Sequence, residues 1–277
     1  MKKILIYIFI LIVSVFVLCA FKSNTTNDDA ISYFEDTNAL KNRLIKAHIT
    51  EYHYQITKKY PHYKNSFTEG LQLNHDYLYE SSGLYGLSVI RKINLNTNKI
   101  MQEYHLPKDY FGEGITLLGD NLYQLSYREH TGFVYNKNTL RLKKIFHYPG
   151  EGWGLTTDGK ELIMSQGSGT LTYINPMSLK PTHSLVVKFK GQDINCLNEL
   201  EYVNGKIFAN VWPAQIIVII SAKTGEIQGW LNIENLKYHC ADENECVANG
   251  IAYDKKNNTL LVTGKYWPYL YSLKLSV

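Results

Sequence analysis

Five short segments resemble one another and recur along the chain at nearly equal distances. They are residues 67–71 (FTEGL), 111–115 (FGEGI), 152–155 (GWGL), 198–201 (NELE) and 249–251 (NGI). The separations are 44, 40, 46 and 50 residues, counted at Glu69, Glu113, Trp153, Glu199 and Asn249. A repeat of this length is typical of one four-stranded blade of a β-propeller. The spacing therefore predicts an all-β fold, and within that class a five-bladed β-propeller.

The first and last repeats indicate how such a ring would close. In the first repeat, four short strands are predicted at residues 69–73, 77–80, 87–95 and 100–106, with turn residues between them. The last repeat has room for only three strands. We predict that residues 48–56 supply its fourth strand, because pairing of the two chain ends removes exposed sheet edges. A β-sandwich of similar length is the alternative fold, but it does not account for the regular period.

The first twenty residues have the pattern of a secretory signal peptide. Lys2 and Lys3 precede an apolar run over residues 4–18, which is shorter than the roughly 20 residues of a membrane span. Cleavage is expected after Ala20. The alternative is a lipid anchor at Cys19, and attachment to a membrane is expected only in that case. We expect a signal peptide over residues 1–20, a polar tether over 21–47, and the propeller domain over 48–277 of an exported protein, periplasmic or extracellular.

Charge and cysteine content exclude several classes of partner and site. The formal net charge is +4, and Lys2 and Lys3 contribute two of these charges, so binding to nucleic acid is not expected. The nine histidines are scattered, and no cluster has the spacing of a zinc site. In an oxidising compartment Cys240 and Cys246 suit a small disulfide-closed loop, whereas Cys196 is expected to be a buried thiol. A monomer is expected.

The repeated segments also carry the candidate functional residues. The first strand of each propeller blade lines the central channel, so residues on or just before these strands crowd around one end. Here they are carboxylates, amides and aromatic rings: Phe67, Glu69, Phe111, Glu113, Trp153, Asn198, Glu199, Glu201 and Asn249. Carboxylates are seldom buried without a partner or a function. The set predicts a site for a small ligand or a peptide at the mouth of the ring.

The same residues, in longer motifs, carry a resemblance to a known family. Residues 110–116 (YFGEGIT), 151–159 (EGWGLTTDG), 162–165 (LIMS), 209–212 (ANVW), 249–254 (NGIAYD) and 263–268 (TGKYWP) resemble the plant-type glutaminyl cyclases, which also occur in bacteria. The similarity runs from about residue 67 to residue 273 and follows all five repeats in order. It implies a five-bladed propeller enzyme, with residues 48–277 as its catalytic domain. The implied reaction converts the N-terminal glutamine of peptides or proteins to pyroglutamate and releases ammonia, with no cofactor required.

The resemblance also implies roles for individual residues. Glu113 matches the catalytic acid/base, and Asn198 and Lys265 match polar groups that hold the reacting amide. Substrate-binding residues are expected at Phe67, Glu69, Phe111, Tyr127, Trp153, Trp212, Asn249 and Trp267. Three positions depart from the family pattern: Glu69 stands where Gln is usual, Tyr127 where Trp is usual, and Gln166 where Asp is usual.

Two other functions remain open alternatives at this point. Carboxylate and amide oxygens of Glu69, Glu113, Asn198, Glu201 and Asn249 could hold Ca²⁺, as in a metal-dependent propeller lactonase or other hydrolase. The acidic residues 242–245 offer a further structural Ca²⁺ site, although a solvated loop is the simpler interpretation. A non-catalytic peptide-binding propeller is the third reading.

Overall fold

The computed structural model describes residues 39–236 and 245–277. The chain divides into two units, residues 1–47 and residues 48–277. In the first unit residues 39–46 are helical, and the predicted signal peptide, Cys19 and most of the predicted tether lie outside the described residues. None of the described helices is both long and apolar enough to cross a membrane. The described residues of the second unit form β-strands and a 3-10 turn at Glu234–Leu236, which confirms the predicted all-β fold.

The strands form three four-stranded antiparallel sheets, a small hairpin and one eight-stranded sheet. The first sheet holds β2 (Thr68–Asn74), β3 (Tyr77–Ser82), β4 (Val89–Asn94) and β5 (Lys99–His105). The second holds β6 (Gly112–Leu118), β7 (Asn121–Ser126), β8 (Thr131–Asn136) and β9 (Leu142–His147). The third holds β10 (Leu155–Thr157), β11 (Leu162–Met164), β12 (Thr170–Asn175) and β13 (Lys180–Val186), and the hairpin pairs β14 (Lys188–Phe189) with β15 (Gln192–Asp193). The eight-stranded sheet holds β16 (Leu197–Val203), β17 (Lys206–Val211), β18 (Ile216–Ser221), β19 (Ile227–Asn232), β20 (Ala248–Asp254), β21 (Thr259–Gly264), β22 (Tyr269–Ser276) and β1 (Thr50–Pro61).

The strand β1 is the fourth strand of the last group and joins its three other strands to β16–β19 in the eight-stranded sheet, whose order is β16-β17-β18-β19-β1-β22-β21-β20. It pairs antiparallel with β22, from His53 opposite Ser276 to Pro61 opposite Tyr269. The predicted pairing of the N-terminal strand with the last repeat is therefore confirmed. The start of β1 also pairs in parallel with β19, at Thr50 to Tyr52, which sequence reasoning did not foresee. Because β1 has twelve residues and β22 only eight, β1 projects beyond β22 and reaches the neighbouring group.

The first strands of the five four-stranded groups are neighbours in cyclic order. β2 lies beside β6, β6 beside β10, β10 beside β16, β16 beside β20, and β20 beside β2. The approach is closest at the glycines of the repeated motif. A Cβ atom on Gly114 would lie 2.4 Å from the backbone nitrogen of Leu155, and one on Gly154 would lie 2.1 Å from the carbonyl oxygen of Asn198. Glycine recurs in the motif because no side chain fits between these backbones.

Apolar side chains are buried between successive sheets. One core cluster joins the first and second sheets around Ile115 and Phe133, and another joins the second and third sheets around Leu155 and Met164. Further clusters join β16–β19 to β20–β22, and β20–β22 to the first sheet. The fourth strands of the first three sheets are mostly exposed. The first strands are therefore the most buried and the fourth strands the most exposed, so polar groups on the first strands are removed from bulk water.

Deletion of residues 48–57 tests the dependence of the fold on β1. We expect the melting temperature of the whole domain to fall, because the deletion removes most of a strand that pairs with both β19 and β22. Circular dichroism during heating measures the effect. A chain that begins at residue 39 is the control, and it should keep the melting temperature of the full chain. An unchanged melting temperature after loss of residues 48–57 would contradict the role given to β1.

Candidate active site

The candidate catalytic residues lie in β-bulges at the start of the first strands. Strand pairing is interrupted between Thr68 and Gly70 in β2, and between Gly112 and Ile115 in β6. The same interruption occurs between Leu197 and Leu200 in β16, and between Ala248 and Ile251 in β20. Glu69, Glu113, Asn198 and Asn249 are the residues at these bulges. A bulge redirects the side chain of the extra residue, so four of the five first strands carry a redirected polar group near their N-terminal ends.

The register of the bulges corrects one position of the sequence repeat. Leu197 and Leu200 occupy the places of Gly112 and Ile115, so the counterpart of Glu113 in the fourth repeat is Asn198. Glu199, which was used as the marker there, occupies the place of a glycine. Its carboxylate accepts the backbone N–H groups of Leu71 (3.1 Å) and Ile251 (2.8 Å), on two other first strands. The absence of glycine at this position is explained by a side chain that links the strands.

In four of the five groups, the residue that follows the second strand contacts the start of the first strand. Gly83, Tyr127, Trp212 and Lys265 each donate a backbone N–H to the residue that precedes a bulge, at 2.8 to 3.0 Å. The acceptors are the carbonyl oxygens of Phe67, Phe111, Cys196 and Val247. Tyr127, Trp212 and Lys265 are thus equivalent positions on three of the strand groups. Side chains that are 53 to 138 residues apart in the sequence thus take equivalent positions through the same backbone contact.

Lys265 forms a buried ion pair with Glu69. Its Nζ lies 2.8 Å from Glu69 Oε1 and 4.2 Å from the centroid of the Phe67 ring. The other oxygen of Glu69 accepts a hydrogen bond from Asn249 Nδ2 at 2.7 Å, and Asn249 also donates to the carbonyl oxygen of Thr68 at 3.1 Å. Burial alone would lower the pKa of Lys265, but the carboxylates of Glu69 and Glu113 outweigh burial and raise it. Lys265 is therefore a protonated ammonium at neutral pH.

Glu113 is buried without such partners. Its residue is 5% exposed, and no described residue donates a hydrogen bond to its carboxyl group. Burial raises the pKa of Glu113 well above its usual range, and the negative charge of Glu69 raises it further, against the opposing charge of Lys265. Burial also raises the pKa of Glu69, against the Lys265 ammonium. Of these two neighbouring carboxyls, one is held in an ion pair and the other is available to a ligand.

Aromatic rings form a continuous arc around the two carboxyls. Successive ring centroids are 5.3 to 6.5 Å apart along the series Tyr266, Phe67, Phe111, Tyr127, Trp153, Trp212. We call these six residues the aromatic arc. All five of the ring residues predicted from the repeat and its resemblance, other than Trp267, belong to it. Edge-to-face contacts of this kind stabilise ring positions and leave ring faces for a ligand.

Trp267 is not part of the arc, contrary to expectation. Its side chain is fully buried in the cluster between β16–β19 and β20–β22, and its Nε1 donates to the carbonyl oxygen of Cys246 at 3.4 Å. The preceding residue, Tyr266, contacts Phe67 instead. Tyr266 has a φ of 60°, and its N–H donates to the carbonyl oxygen of Ser66. This left-handed turn reverses which of the two adjacent aromatic residues faces the site, and the sequence carries no clear signal for it.

At the bulges, two buried amide oxygens are left without hydrogen-bond partners among the described residues. They are Asn198 Oδ1 and Asn249 Oδ1. An unpaired buried acceptor costs about 1–3 kcal/mol, so such atoms mark places where a bound molecule can supply a donor. Both lie at bulges that adjoin the ion pair or its neighbouring strands.

Two of the carboxylates proposed as Ca²⁺ ligands are held by the protein itself: Glu69 is paired with Lys265, and Glu201 accepts hydrogen bonds. Both oxygens of Glu199, which is not one of the proposed ligands, accept backbone N–H groups. Glu201 accepts the N–H of Tyr253 at 2.8 Å and the hydroxyl of Thr156 at 3.4 Å. In residues 39–236 and 245–277, no three His, Cys, Asp or Glu side chains form a group suited to a metal ion. The described geometry therefore supports a strand-linking role for Glu199 and Glu201.

A second buried charge pair connects the segments that carry Phe67 and Lys265. His62 Nε2 lies 2.9 Å from Glu80 Oε1, and His62 Nδ1 lies 2.6 Å from the carbonyl oxygen of Trp267. The hydroxyl of Thr68 also donates to Glu80 Oε1, at 2.8 Å. Both ring nitrogens of His62 face acceptors, so the geometry requires an imidazolium. Burial would lower the pKa of His62, but the Glu80 carboxylate outweighs burial and raises it, while His62 in turn lowers the pKa of Glu80.

Because of the His62–Glu80 pair, we expect the free energy of unfolding to decrease as the pH rises above neutrality. His62 contributes fully below its ordinary pKa of 6.5, and its contribution is lost as pH rises through the raised pKa of the folded state. His62→Gln should lower the free energy of unfolding by about 3 kcal/mol near neutral pH, because a buried charge loses its partner. In the His62→Gln protein, the free energy of unfolding should also change less with pH above neutrality. Urea unfolding at several pH values measures both effects.

Ser272→Ala is a matched control for that experiment. It removes a buried hydrogen bond between the Ser272 and Thr259 hydroxyls, 2.9 Å long, and involves no titrating group. We expect a loss of about 1 kcal/mol that is the same at every pH. An unchanged alkaline slope in the His62→Gln protein would refute the assigned charge state.

Known proteins resemble this chain in both sequence and structure. Residues 30–275 match the glutamine cyclotransferase family. A glutaminyl-peptide cyclotransferase of Arabidopsis thaliana is 41% identical over 226 residues, covering 80% of this chain and 71% of the relative. The crystal structure of Myxococcus xanthus glutaminyl cyclase superposes with a TM-score of 0.76 at 29% identity, covering 83% of this chain and 99% of that one. The match extends over nearly all of the chain, including every residue of the site, and the chain therefore belongs to the glutamine cyclotransferase family.

Proposed function

We propose that this protein is a glutaminyl-peptide cyclotransferase, which converts the N-terminal glutamine of peptides or proteins to pyroglutamate and releases ammonia. One observation carries the proposal: the buried carboxyl of Glu113 has no donor among the described residues and lies within electrostatic reach of the Lys265–Glu69 ion pair. Family membership and the name of the Arabidopsis relative support the same activity.

The proposed chemistry explains why no nucleophilic triad is needed. The α-amine of the substrate attacks the side-chain carbonyl of the same glutamine, so nucleophile and electrophile are already in one molecule. A C–N bond forms to the α-nitrogen, and the bond to the amide nitrogen breaks. The protein must accept a proton from the amine, stabilise charge on the carbonyl oxygen, and protonate the departing nitrogen.

In this proposal Glu113 performs both proton transfers. Its carboxylate accepts a proton from the α-nitrogen as the ring closes, and its carboxylic acid returns a proton to the nitrogen that leaves as ammonia. A raised pKa suits this cycle, because a general acid/base works best when its pKa lies near the working pH. Desolvation by the surrounding sheets, with the nearby charge of Glu69, supplies that shift.

Lys265 and Asn198 hold the reacting groups in the proposed complex. The Lys265 ammonium, oriented by Glu69 at 2.8 Å, supplies positive charge where the carbonyl oxygen becomes an oxyanion. The unpartnered Oδ1 of Asn198 can accept an N–H of the substrate amine or amide. Neither role requires a metal or cofactor, so we propose a cofactor-independent enzyme.

The aromatic arc and the surrounding carboxylates suit the rest of the substrate. Ring faces can contact the aliphatic stem of glutamine, and they attract an ammonium before it loses its proton. Glu129 and Glu151 add negative charge near Glu113. Glu151 also accepts a hydrogen bond from Trp153 Nε1 at 3.1 Å and so fixes that ring.

We also propose the finer architecture and the cellular setting. Five four-stranded groups with first strands in cyclic order support a five-bladed β-propeller over residues 48–277.

The N-terminal sequence supports a signal peptide over residues 1–20, a tether over 21–47, and export to the periplasm or outside the cell. Lipidation at Cys19 is the alternative. Cys196 is a buried free thiol, and the predicted Cys240–Cys246 pair stays a prediction because Cys240 lies outside the described residues. A monomeric enzyme is expected.

A direct assay tests the proposed activity. Purified protein is incubated with a dipeptide that begins with glutamine, and both free ammonia and the peptide mass are followed. We expect stoichiometric ammonia and a peptide lighter by one ammonia. Activity that disappears on chelation would favour the metal-dependent hydrolase, and intact peptide after long incubation would favour a binding protein.

Glu113→Gln tests the acid/base assignment. The amide keeps the size of the side chain but cannot carry the proton, so kcat should fall by roughly 10²–10⁴. KM should change far less, because the aromatic arc and Asn198 are intact. Steady-state kinetics of ammonia release measures both constants.

Glu69→Gln is the matched comparison, at the equivalent bulge of the preceding sheet. Substantial activity should remain, because Gln can still accept from Lys265. Loss of the Glu69 charge also lowers the pKa of Glu113, so the acidic limb of kcat/KM should move to lower pH. If Glu69→Gln abolished turnover and Glu113→Gln did not, the two roles would be reversed.

The tryptophans of the aromatic arc provide a separate test of substrate binding. Trp153→Phe and Trp212→Phe should raise KM about threefold or more with little change in kcat, because part of the ring surface is lost. Melting temperatures should fall only slightly for Trp212, whose side chain is partly exposed. Aggregation of both variants would instead indicate a purely structural role.

A further inference from the structure

Tyr85 extends the aromatic rings from the buried site to the solvent. Its ring contacts Phe111 at a centroid distance of 5.4 Å, and Phe111 contacts Phe67 at 5.9 Å. Phe67 is 3% exposed, Phe111 is partly buried and Tyr85 is 52% exposed. The three rings therefore follow a path outward from the ion pair, since Lys265 lies against Phe67. Sequence reasoning missed Tyr85 because it lies outside the repeated motif.

The position of the Tyr85 ring is held by hydrogen bonds. Its hydroxyl donates to Glu129 Oε1 at 2.6 Å, and Glu129 Oε2 accepts the backbone N–H of Phe111 at 3.4 Å. One carboxylate thus joins the exposed ring to the wall of the site. Burial and the Glu129 carboxylate both raise the pKa of Tyr85, so the hydroxyl stays protonated and remains a donor.

The loop that carries Tyr85 is also anchored. Ser88 Oγ donates to the carbonyl oxygen of Leu84 at 2.8 Å and accepts the N–H of Gly112 at 2.9 Å, beside the bulge of Glu113. The N–H of Gly86 donates to the carbonyl oxygen of Lys108 at 3.1 Å. Leu84 has a φ of 89°, which a branched residue seldom adopts without a compensating function. The loop is a fixed surface that presents an aromatic ring to the solvent.

We propose that Tyr85 forms a subsite for the side chain of the residue that follows the N-terminal glutamine, and that this subsite prefers apolar and aromatic side chains. The inference rests on the proposed function. With the glutamine among the buried groups, the rest of the peptide has to leave toward solvent, and Tyr85 is the exposed ring in contact with the arc. A ring fixed in advance binds a side chain with little loss of freedom.

Peptide kinetics tests the subsite. We expect kcat/KM for Gln-Phe to exceed that for Gln-Gly by roughly two- to tenfold, the range that corresponds to one aromatic contact. Tyr85→Ala should reduce the value for Gln-Phe to about that for Gln-Gly, whereas Tyr85→Phe, which keeps the ring, should retain the preference. Leu142→Ala, an exposed apolar residue on the outer strand β9, is the control and should leave both values unchanged.

Binding measurements separate this inference from the proposed function. Calorimetric titration of the Glu113→Gln protein with the same two peptides measures affinity without turnover. Tighter binding of Gln-Phe that is lost when Tyr85→Ala is added supports the subsite, even if the wild-type protein releases no ammonia. Equal affinities for the two peptides, or a preference that survives Tyr85→Ala, would overturn it. Absence of turnover with intact binding preference would overturn only the catalytic proposal.

Discussion

The close approach of the five first strands is the constraint on which the rest of the structure depends. At Gly114 and Gly154 a single Cβ atom would collide with the backbone of the next strand. Strands this close leave no room for bulk water around the groups they carry. Bulges at the same level turn polar side chains toward one end, where burial shifts their pKa values. The close approach of the first strands therefore accounts both for the packing of the backbone and for the shifted pKa values at the candidate site.

The two neighbouring carboxyls show how differently burial acts on similar residues. Glu69 and Glu113 occupy equivalent bulges, and burial raises the pKa of both. Glu69 is compensated by Lys265 and Asn249, which give its charged form two strong hydrogen bonds. Glu113 lacks that compensation within the described residues, and the charge of Glu69 adds to its shift. Like charges placed close together shift the pKa values of two groups apart, and the proposed mechanism uses this difference by keeping Glu69 as an ion and Glu113 as the proton carrier.

The aromatic residues illustrate the limit of reading a site from sequence. Motif spacing identified Phe67, Phe111 and Trp153 of the aromatic arc, which lie in the repeated segments, and the family resemblance added Tyr127 and Trp212. Trp267 was expected at the site but is buried in the core, and Tyr266 contacts Phe67 instead, because of a left-handed residue after β21 and the limited space around Gly264. Tyr85 and Glu129 were missed for a related reason. Their contact with Phe111 joins loops of two sheets, and no local pattern records such a contact.

The sequence by itself determined the all-β class, the five repeats and the pairing of the chain ends, and it predicted polar residues for the candidate site. The class and the repeats follow from the spacing of the motifs and from the turn residues between strands, which are local properties of a chain. Only the tertiary structure decided that Asn198, rather than Glu199, is the counterpart of Glu113, and that His62 and Glu80 form a buried pair. It also decided that the Glu69 carboxylate is paired with Lys265, whereas the Glu113 carboxyl is available to a ligand. Such outcomes depend on distances between separate sheets and on the resulting loss of solvent, which no single repeat contains.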